Sequence, residues 1–219
     1  LNDYKLWVIG TTELAYVDKV FWEEFSIYIA VFLLLHACFY ALVKSISKSE
    51  LRTRKQLIYQ ANHDPLTSLP NRFYMRQNIS KWLDDEKHPF TLLFIDIDNF
   101  KSVNDTHGHD FGDKILKQIA LRLSRFQSRL SLVIRDSSDE FLFLTPLTNE
   151  SELHRLAERI IEVLSKPYDV DESQFLLSCS IGIAQFPQHG TDLDSLLRSA
   201  DISMYKAKQQ QNSYSMFTA

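Results

Sequence analysis

The chain has 219 residues, of which 45% are hydrophobic and 24% are charged, and its formal net charge at pH 7 is −4. This composition excludes an intrinsically disordered chain and suits one packed domain of ordinary size with a short additional segment. Because 28 acidic residues outnumber 24 basic ones, we expect no nucleic-acid partner held by charge, and two cysteines are too few for a disulfide framework.

A long apolar run near the N-terminus predicts a membrane-spanning helix. Residues 25–43 read FSIYIAVFLLLHACFYALV, a 19-residue run without formal charge that only Ser26 and His36 interrupt. As a helix it is roughly 28 Å long, about the thickness of the hydrocarbon core of a bilayer. A buried core helix would show a polar stripe. A cleaved signal peptide would lie at a true N-terminus, whereas this chain begins at Leu1 rather than Met and suggests a fragment of a longer protein.

The charges that flank this run predict its orientation. Acidic residues precede it and five basic residues follow it within residues 44–55, so residues 44 onward are expected in the cytoplasm. We therefore expect a single-pass protein of the cell inner membrane, with residues 1–24 as the end of an extracytoplasmic region. Residues 44–62 are polar, contain no Gly or Pro and are predicted to continue the helix as a stalk. Their weak apolar seam could pack on a parallel partner helix, or the segment could be a solvated connector.

From His63 onward, strand and helix patterns alternate, and this defines a predicted cytoplasmic domain, residues 63–219. The patterns predict, in chain order, a helix over 71–85, a buried strand over 90–97, a helix over 111–126, a hairpin with strands at 132–135 and 140–144, a helix over 153–164, a strand over 175–186 and a helix over 193–204. Thr191 and Asp194 are spaced as a capping box for the last helix. These elements predict an α/β (α+β) domain with a central sheet flanked by helices.

Two groups of acidic residues mark the candidate chemistry of this domain. Asp96 and Asp98 come at the carboxyl end of the first predicted strand, where open α/β sheets bind ligands, and the period of two places them on one side. A hard divalent ion such as Mg²⁺, together with a phosphate-bearing substrate, would neutralise such carboxylates, although a lone Asp-x-Asp is also common at solvated strand ends. Asp139 and Glu140 lie in the predicted hairpin turn, and the combination of both groups favours a functional site.

Other common ligand sites have no support in the sequence. The nucleotide-binding patterns G-x-x-x-x-G-K and G-x-G-x-x-G are absent. His107 and His109 have no cysteine or third histidine at ligand spacing, so a structural role is favoured over zinc binding.

Five ordered segments resemble motifs of GGDEF domains, the diguanylate cyclase family. They are residues 64–72 (DPLTSLPNR), residues 96–113 (DIDNFKSVNDTHGHDFGD), the turn 137–141 (SSDEF) in place of the sequence that names the family, residues 180–184 (SIGIA) and residues 200–208 (ADISMYKAK). The resemblance covers about residues 63–217. It implies a nucleotidyl-cyclase-like central sheet and a reaction that joins two GTP molecules into cyclic di-GMP, for which two domains face each other in a homodimer.

The resemblance also implies roles for individual residues. Asp96, Asp139 and the carbonyl of Ile97 would ligate Mg²⁺ or Mn²⁺, and Glu140 would act in catalysis with Asp139. The substrate-binding residues fall into two sets. The guanine base would be bound by Asn104 and Asp113, and the triphosphate by the main chain near Asn99 and Phe100 together with Lys101 and Lys208.

The sequence departs from the family pattern at several positions. Both turn glycines are serines, Ser137 and Ser138, and a residue with a Cβ costs roughly 1–2 kcal/mol in the left-handed conformation that glycine adopts freely. Asn212 stands where the family usually has a phosphate-binding Arg, a loss of about 1.5–3 kcal/mol. If both losses act in the transition state, the rate falls by about 10² to 10⁴. Ser68 replaces a glycine of the first motif.

Two functions remain open on these observations. The first is a membrane-bound diguanylate cyclase of low activity. The second is a catalytically inactive GTP-binding or signal-relay domain that controls a neighbouring module, such as a downstream EAL phosphodiesterase domain, because residues 212–219 resemble the linker that leads into one. A purely structural domain ranks lower, since an idle site need not keep so many acids. The inhibitory product site of the family, R-x-x-D, falls on Ser128 and Ser131, so product feedback is not expected.

Overall fold

The structure is a computed structural model that describes residues 2–80 and 89–218, with side chains from Tyr16 onward. The chain divides into two compact units, one up to Leu57 and one from Ile58 onward. The predicted domain boundaries at residues 24, 43 and 62 stay predictions.

One long helix, α1 (Asn2–Asn62), forms the first unit. This helix continues past Leu57, so its last turn is counted with the second unit. The apolar run 25–43 and the polar segment 44–62 are both helical, with no break between them. Every side chain of the apolar run is exposed, in contrast to a core helix of a soluble protein. Among the described residues, α1 is the one helix long and apolar enough to cross a membrane.

The second unit is a mixed α+β domain, which confirms the predicted fold class. Its elements in chain order are α2 (Arg72–Asn78), β1 (Phe90–Ile97), α3 (Phe100–His107), α4 (His109–Ser124), β2 (Leu132–Arg135), β3 (Glu140–Thr145), α5 (Glu150–Leu164), β4 (Tyr168–Val170), β5 (Ser173–Phe175), β6 (Cys179–Phe186), α6 (Leu193–Lys208) and β7 (Tyr214–Met216). Within the described residues, five strands form a sheet in the order β2-β3-β1-β6-β7, and β4 pairs with β5 separately. The central strand β1 is antiparallel to both neighbours, and β6 is parallel to the short edge strand β7.

Helices cover both faces of the sheet, so β1 is buried along its whole length. Alternate residues of β1 enter two different cores because successive strand side chains point to opposite faces. Leu93, Ile95 and Ile97 pack in the core formed with α4 and α5, whereas Phe90, Leu92 and Phe94 pack in the core formed with α2 and α6. Asp96 continues the second series and therefore faces α6.

Gly182 allows α6 to lie close against β6. A Cβ at this position would be 1.9 Å from the carbonyl oxygen of Ala200 and 2.3 Å from the backbone nitrogen of Met204. Only glycine avoids this overlap, which explains the glycine in the segment 180–184 and fixes the height of α6 above the sheet.

Three predicted elements differ from those observed. The helix predicted over 71–85 is α2, which ends at Asn78, and residues 81–85 lie outside the described part of the chain. The strand predicted over 175–186 begins at Cys179, because Ser173–Phe175 pair with β4 instead. The N-cap of α6 is Asp192 rather than Thr191, and its side chain accepts a hydrogen bond from the backbone N–H of Ser195. The predicted hairpin is confirmed as β2 and β3.

Candidate functional site

Asp96 is a buried acidic residue at the carboxyl end of β1, with only 4% of its surface exposed. The Nζ of Lys208, in the last turn of α6, lies 2.8 Å from its Oδ1. Among the described residues this oxygen accepts no hydrogen bond of ordinary geometry. Burial raises the pKa of Asp96 to about 6; Lys208 opposes this shift, and the charges of Asp139 and Glu140 add to it. An incompletely satisfied carboxylate of this kind is suited to a cationic ligand.

The β1–β3 pairing brings the two acids of the hairpin to Asp96. Glu140 lies directly opposite Asp96 in the register, and the carbonyl of Asp139 accepts a hydrogen bond from the N–H of Ile97 at 3.3 Å. The β1–β3 register therefore places Asp96 and the two hairpin acids, which are more than 40 residues apart in the sequence, at the same end of two neighbouring strands.

The donors present suit a cation that also binds phosphate. Among residues 2–80 and 89–218 there is no group of three or more His, Cys, Asp or Glu side chains that could hold a metal ion. A protein-only metal centre is thus not indicated. However, Mg²⁺ in nucleotide sites is usually held by one or two carboxylates, with substrate phosphates and water completing its shell. Asp96, Asp139 and the carbonyl of Ile97 supply oxygen donors of that kind and stay predicted ligands.

Asp98 has a structural role, so its predicted pairing with Asp96 around a cation is wrong. Its two carboxylate oxygens accept hydrogen bonds from the hydroxyls of Ser178 at 2.6 Å and Ser180 at 2.7 Å. The backbone N–H of Asn212 also donates to it, at 3.2 Å. These bonds leave Asp98 satisfied and join the end of β1 to β6 and to the segment after α6.

Arg135 fixes the hairpin turn. Its guanidinium donates to the carbonyls of Ser137 at 3.2 Å and Ser138 at 2.8 Å, and to Oδ1 of Asp64 at 2.7 Å. Asp64 also accepts hydrogen bonds from the backbone and the hydroxyl of Thr67. Burial would raise the pKa of Asp64, but the bonds from Thr67 and Arg135 outweigh it and hold the pKa below its usual value. The turn is therefore anchored to the segment 64–72.

A second set of contacts joins the end of α1 to the same hairpin. The backbone N–H of Asn71 donates to the carbonyl of Asn62 at 2.9 Å, and its side-chain amide donates to the carbonyl of Ala61 at 2.9 Å. The next residue, Arg72, forms an ion pair of 3.2 Å with the buried carboxylate of Asp136. We call residues 61–72, together with these contacts and the hydrogen bonds of Arg135, the 61–72 frame. It connects the last turn of α1 with α2 and with the hairpin.

The backbone strain predicted for the turn serines is wrong. The described non-glycine residues with positive φ include Ser68 (60°) and Asn212 (46°) but neither Ser137 nor Ser138. Because the turn backbone has no left-handed serine, glycine is not required there for conformational reasons. The hydroxyl of Ser137 instead donates a hydrogen bond to Oε2 of Glu140.

The predicted guanine-binding residues lie next to each other on α3 and α4. A Cβ at Gly112 would be 2.0 Å from Oδ1 of Asn104, so the side chain of Asn104 lies directly on the first turn of α4, beside Asp113. Asn104 and Asp113 are both half-buried. Their amide and carboxylate can together donate and accept hydrogen bonds, as recognition of a purine base edge requires.

The predicted phosphate-binding segment follows β1 directly. Asn99 adopts a left-handed conformation with φ of 56° and begins α3, while Phe100 is buried in the core. Lys101 is exposed on the first turn of α3. The side chain of Asn99 makes no capping hydrogen bond to this turn, and N–H groups at a helix start together with the ammonium of Lys208 favour an anionic ligand at the strand end.

Two other predicted features have structural explanations. The ring of His107 packs on Phe111 and Phe175, with centroid distances of 4.8 and 4.9 Å, in agreement with a structural role. Ser128 and Ser131, at the positions of the inhibitory product site, are joined by a hydroxyl–hydroxyl hydrogen bond of 2.8 Å in a tight turn.

Sequence reasoning missed the residues that hold the site in shape. Arg135, Asp64 and the serines that bind Asp98 were not predicted, because their contacts join segments far apart in the chain. The signal available in the sequence was the position of Arg135 immediately before the turn.

Comparison with known proteins identifies relatives over most of the second unit. The family model described as diguanylate cyclase, GGDEF domain, matches residues 61–213. The chain is 38% identical over 180 residues to the diguanylate cyclase TpbB of Pseudomonas aeruginosa, covering 78% of this chain and 41% of TpbB. It is 37% identical over 161 residues to the cyclic di-GMP phosphodiesterase PdeR of Escherichia coli, covering 73% of this chain and 24% of PdeR.

Solved structures agree with these relatives. The crystal structure of the GGDEF domain of TpbB, 37% identical, superposes with a TM-score of 0.66 and covers 70% of this chain and 99% of that one. The GGDEF domain of DgcB from Caulobacter crescentus, solved in complex with cyclic di-GMP, is 25% identical with a TM-score of 0.65, covering 72% of this chain and 93% of that one. The chain spans from about a quarter to two fifths of the length of the curated relatives named above.

Proposed function

The chain belongs to the GGDEF domain family of diguanylate cyclases, and from this premise we propose that it is a membrane-bound enzyme of cyclic di-GMP signalling with low cyclase activity. In this proposal it condenses two GTP molecules to cyclic di-GMP: each ribose hydroxyl attacks the α-phosphate of the other GTP, and two pyrophosphates leave. The observation that carries the proposal is the gathering of Asp96, Lys208 and the hairpin acids at the carboxyl end of β1.

GTP would be bound along α3, between its first turn and the first turn of α4. Asn104 and Asp113 would hydrogen-bond the guanine edge. The N–H groups after Asn99, with the ammonium groups of Lys101 and Lys208, would bind the phosphates. This division leaves the α-phosphate near the hairpin acids.

Asp96, Asp139 and the Ile97 carbonyl would hold Mg²⁺ or Mn²⁺ together with the phosphates. When bound, the cation would supply neutralisation of the negative charge that develops in phosphoryl transfer. Two residues of the chain would favour binding of the cation and the phosphates. The pKa of Asp96, raised to about 6 by burial, leaves the carboxylate mostly ionised at neutral pH, and Lys208 supplies a second positive charge 2.8 Å from it.

Glu140 would accept the proton of the attacking ribose hydroxyl. It lies opposite Asp96 and beside Asp139, so it is close to the phosphate-binding end of the site. One chain offers one such site, whereas the product contains two guanylyl groups, so two chains must face each other. The apolar positions of residues 44–62, exposed in α1, offer a surface for a parallel partner helix.

The membrane anchor is the apolar part of α1, residues 25–43, with the second unit in the cytoplasm. This location is supported by the length of the helix, its exposed apolar side chains and the basic residues that follow it.

A catalytically inactive GTP-binding domain that regulates a neighbouring module is the second candidate function. It is favoured by the Ser137 hydroxyl on the Glu140 carboxylate and by Asn212, whose amide oxygen accepts a hydrogen bond from Ser165 rather than presenting a positive charge. PdeR, a relative whose name states a phosphodiesterase activity, is longer than this chain. A downstream EAL domain would be the controlled partner.

The deciding experiment measures cyclic di-GMP formation from GTP and Mg²⁺ by the chain in detergent micelles at high protein concentration. We expect slow product formation that Asp139→Ala abolishes, while Asp110→Ala, which removes an exposed acid of α4, leaves it unchanged. GTP binding without product at any concentration would favour the regulatory function. Absence of both binding and product would contradict both candidates.

A further inference from the structure

We propose that Ser137 is a positioning residue whose hydroxyl restrains the carboxylate of Glu140 through a hydrogen bond. This hydrogen bond, rather than backbone strain in the turn, lowers the cyclase activity. The inference rests on the proposed cyclase function for its kinetic part. Its structural part, the bond between the two side chains, stands on its own.

The backbone of Ser137 is held in place from both sides. Its carbonyl accepts a hydrogen bond from Nε of Arg135 at 3.2 Å, and its N–H donates to the carbonyl of Glu140 at 3.4 Å. The N–H of Asp136 donates to the same carbonyl at 3.0 Å. The backbone around the hydroxyl is therefore fixed, and its bond to Oε2 of Glu140 closes a small ring across the turn.

A bound carboxylate oxygen is a poorer acceptor for a second proton donor. The hydrogen bond from Ser137 occupies Oε2 and fixes the orientation of the carboxylate, so Glu140 must turn or use Oε1 to reach a substrate hydroxyl. Hydrogen bonds to charged groups are strong enough to change a rate by about 10- to 100-fold when they are lost. Glycine at this position would leave Glu140 free.

Ser138 provides a matched comparison in the same turn. Its carbonyl is also held by Arg135, at 2.8 Å, but its hydroxyl makes no hydrogen bond among the described residues. Neither serine has a positive φ. The two positions therefore differ in the contact with Glu140 and not in backbone strain.

The two explanations predict different results for substitutions at position 137. If the hydrogen bond restrains Glu140, both Ser137→Ala and Ser137→Gly raise kcat, by about 10-fold, because both remove the hydroxyl. If the backbone were strained, only Ser137→Gly would raise it. Ser137→Thr keeps the hydroxyl and should behave as the unsubstituted chain, and Ser138→Ala should have no effect.

The test uses the full chain in detergent micelles and two readouts. The first is kcat and KM for GTP, where we expect a change in kcat with little change in KM. The second is the carboxyl ¹³C resonance of Glu140 in nucleotide-free protein labelled with ¹³C-glutamate, assigned by its loss in Glu140→Gln. This resonance should move in Ser137→Ala and Ser137→Gly and stay in place in Ser137→Thr and Ser138→Ala.

The outcomes separate this inference from the proposed function. A rise in kcat in Ser137→Gly alone would overturn the inference, as would an unmoved Glu140 resonance in Ser137→Ala. If no variant forms product, the cyclase function and the kinetic part both fail, and the resonance still decides whether Ser137 binds Glu140.

Discussion

Replacing Asp96 with Asn tests how burial affects the candidate site. The pKa of Asp96 rises from 3.8 in an unfolded chain to about 6 in the folded state, chiefly because the side chain is buried. The folded state therefore binds this proton more tightly than the unfolded state, so the free energy of unfolding falls as pH rises from about 4 to about 6. Two pKa units correspond to about 3 kcal/mol, of which about 2.5 kcal/mol falls between pH 4 and 7.5.

Asparagine does not titrate, so the Asp96→Asn variant lacks this loss of stability. We expect its free energy of unfolding, relative to that of the unsubstituted protein, to increase by about 2.5 kcal/mol between pH 4 and pH 7.5. The measurement is urea unfolding of residues 58–219 followed by circular dichroism, in a buffer with a chelator so that no divalent ion binds. Asp105→Asn, at an exposed position of α3, controls for the loss of one negative charge. A stability difference that stays constant over this pH range would refute the reasoning.

Four further substitutions test other parts of the structure. Asp98→Asn should lower the free energy of unfolding by about 2 kcal/mol in the same urea assay. The amide nitrogen that replaces one carboxylate oxygen cannot accept a hydrogen bond from a serine hydroxyl. An unchanged unfolding midpoint would contradict this. Gly182→Ala should cost more than about 3 kcal/mol in thermal melting, because its Cβ would lie 1.9 Å from the carbonyl of Ala200. Ser68→Gly should stabilise by about 0.5–1 kcal/mol, since Ser68 has a φ of 60°. Arg135→Lys should lower both stability, by about 2 kcal/mol, and GTP affinity measured by calorimetry, because a lysine cannot replace three guanidinium contacts; retention of both would mean that the turn does not depend on them.

The parts of the fold that the sequence predicts well are those with strong local patterns. The apolar run 90–97 predicts β1 with its observed bounds, because both of its faces are covered and nearly every residue is apolar. The hairpin is similarly predicted, since two apolar segments flank a polar turn. At the candidate site, the resemblance brings Asp96 and the hairpin acids together, and the antiparallel register agrees with it.

The remaining features depend on contacts that no local pattern contains. The hydroxyls that bind Asp98 come from residues 80 and 82 positions further along the chain, so a short Asp-x-Asp segment gives no sign that Asp98 is bound by serines and Asp96 by a lysine. Residue type also does not determine φ: the serines of the turn have ordinary backbone conformations, whereas Ser68 and Asn212 are left-handed. Of the three serines that replace family glycines, Ser68 is left-handed, whereas Ser137 and Ser138, for which strain was predicted, are not.

The 61–72 frame has a mechanical consequence for this protein. Ala61, at the end of α1, is bonded to Asn71, and the adjacent Arg72 is paired with Asp136 beside the turn. The final helical turn is therefore connected to the hairpin by two neighbouring side chains. A displacement of about an ångström at the helix end would be enough to break a hydrogen bond in this path.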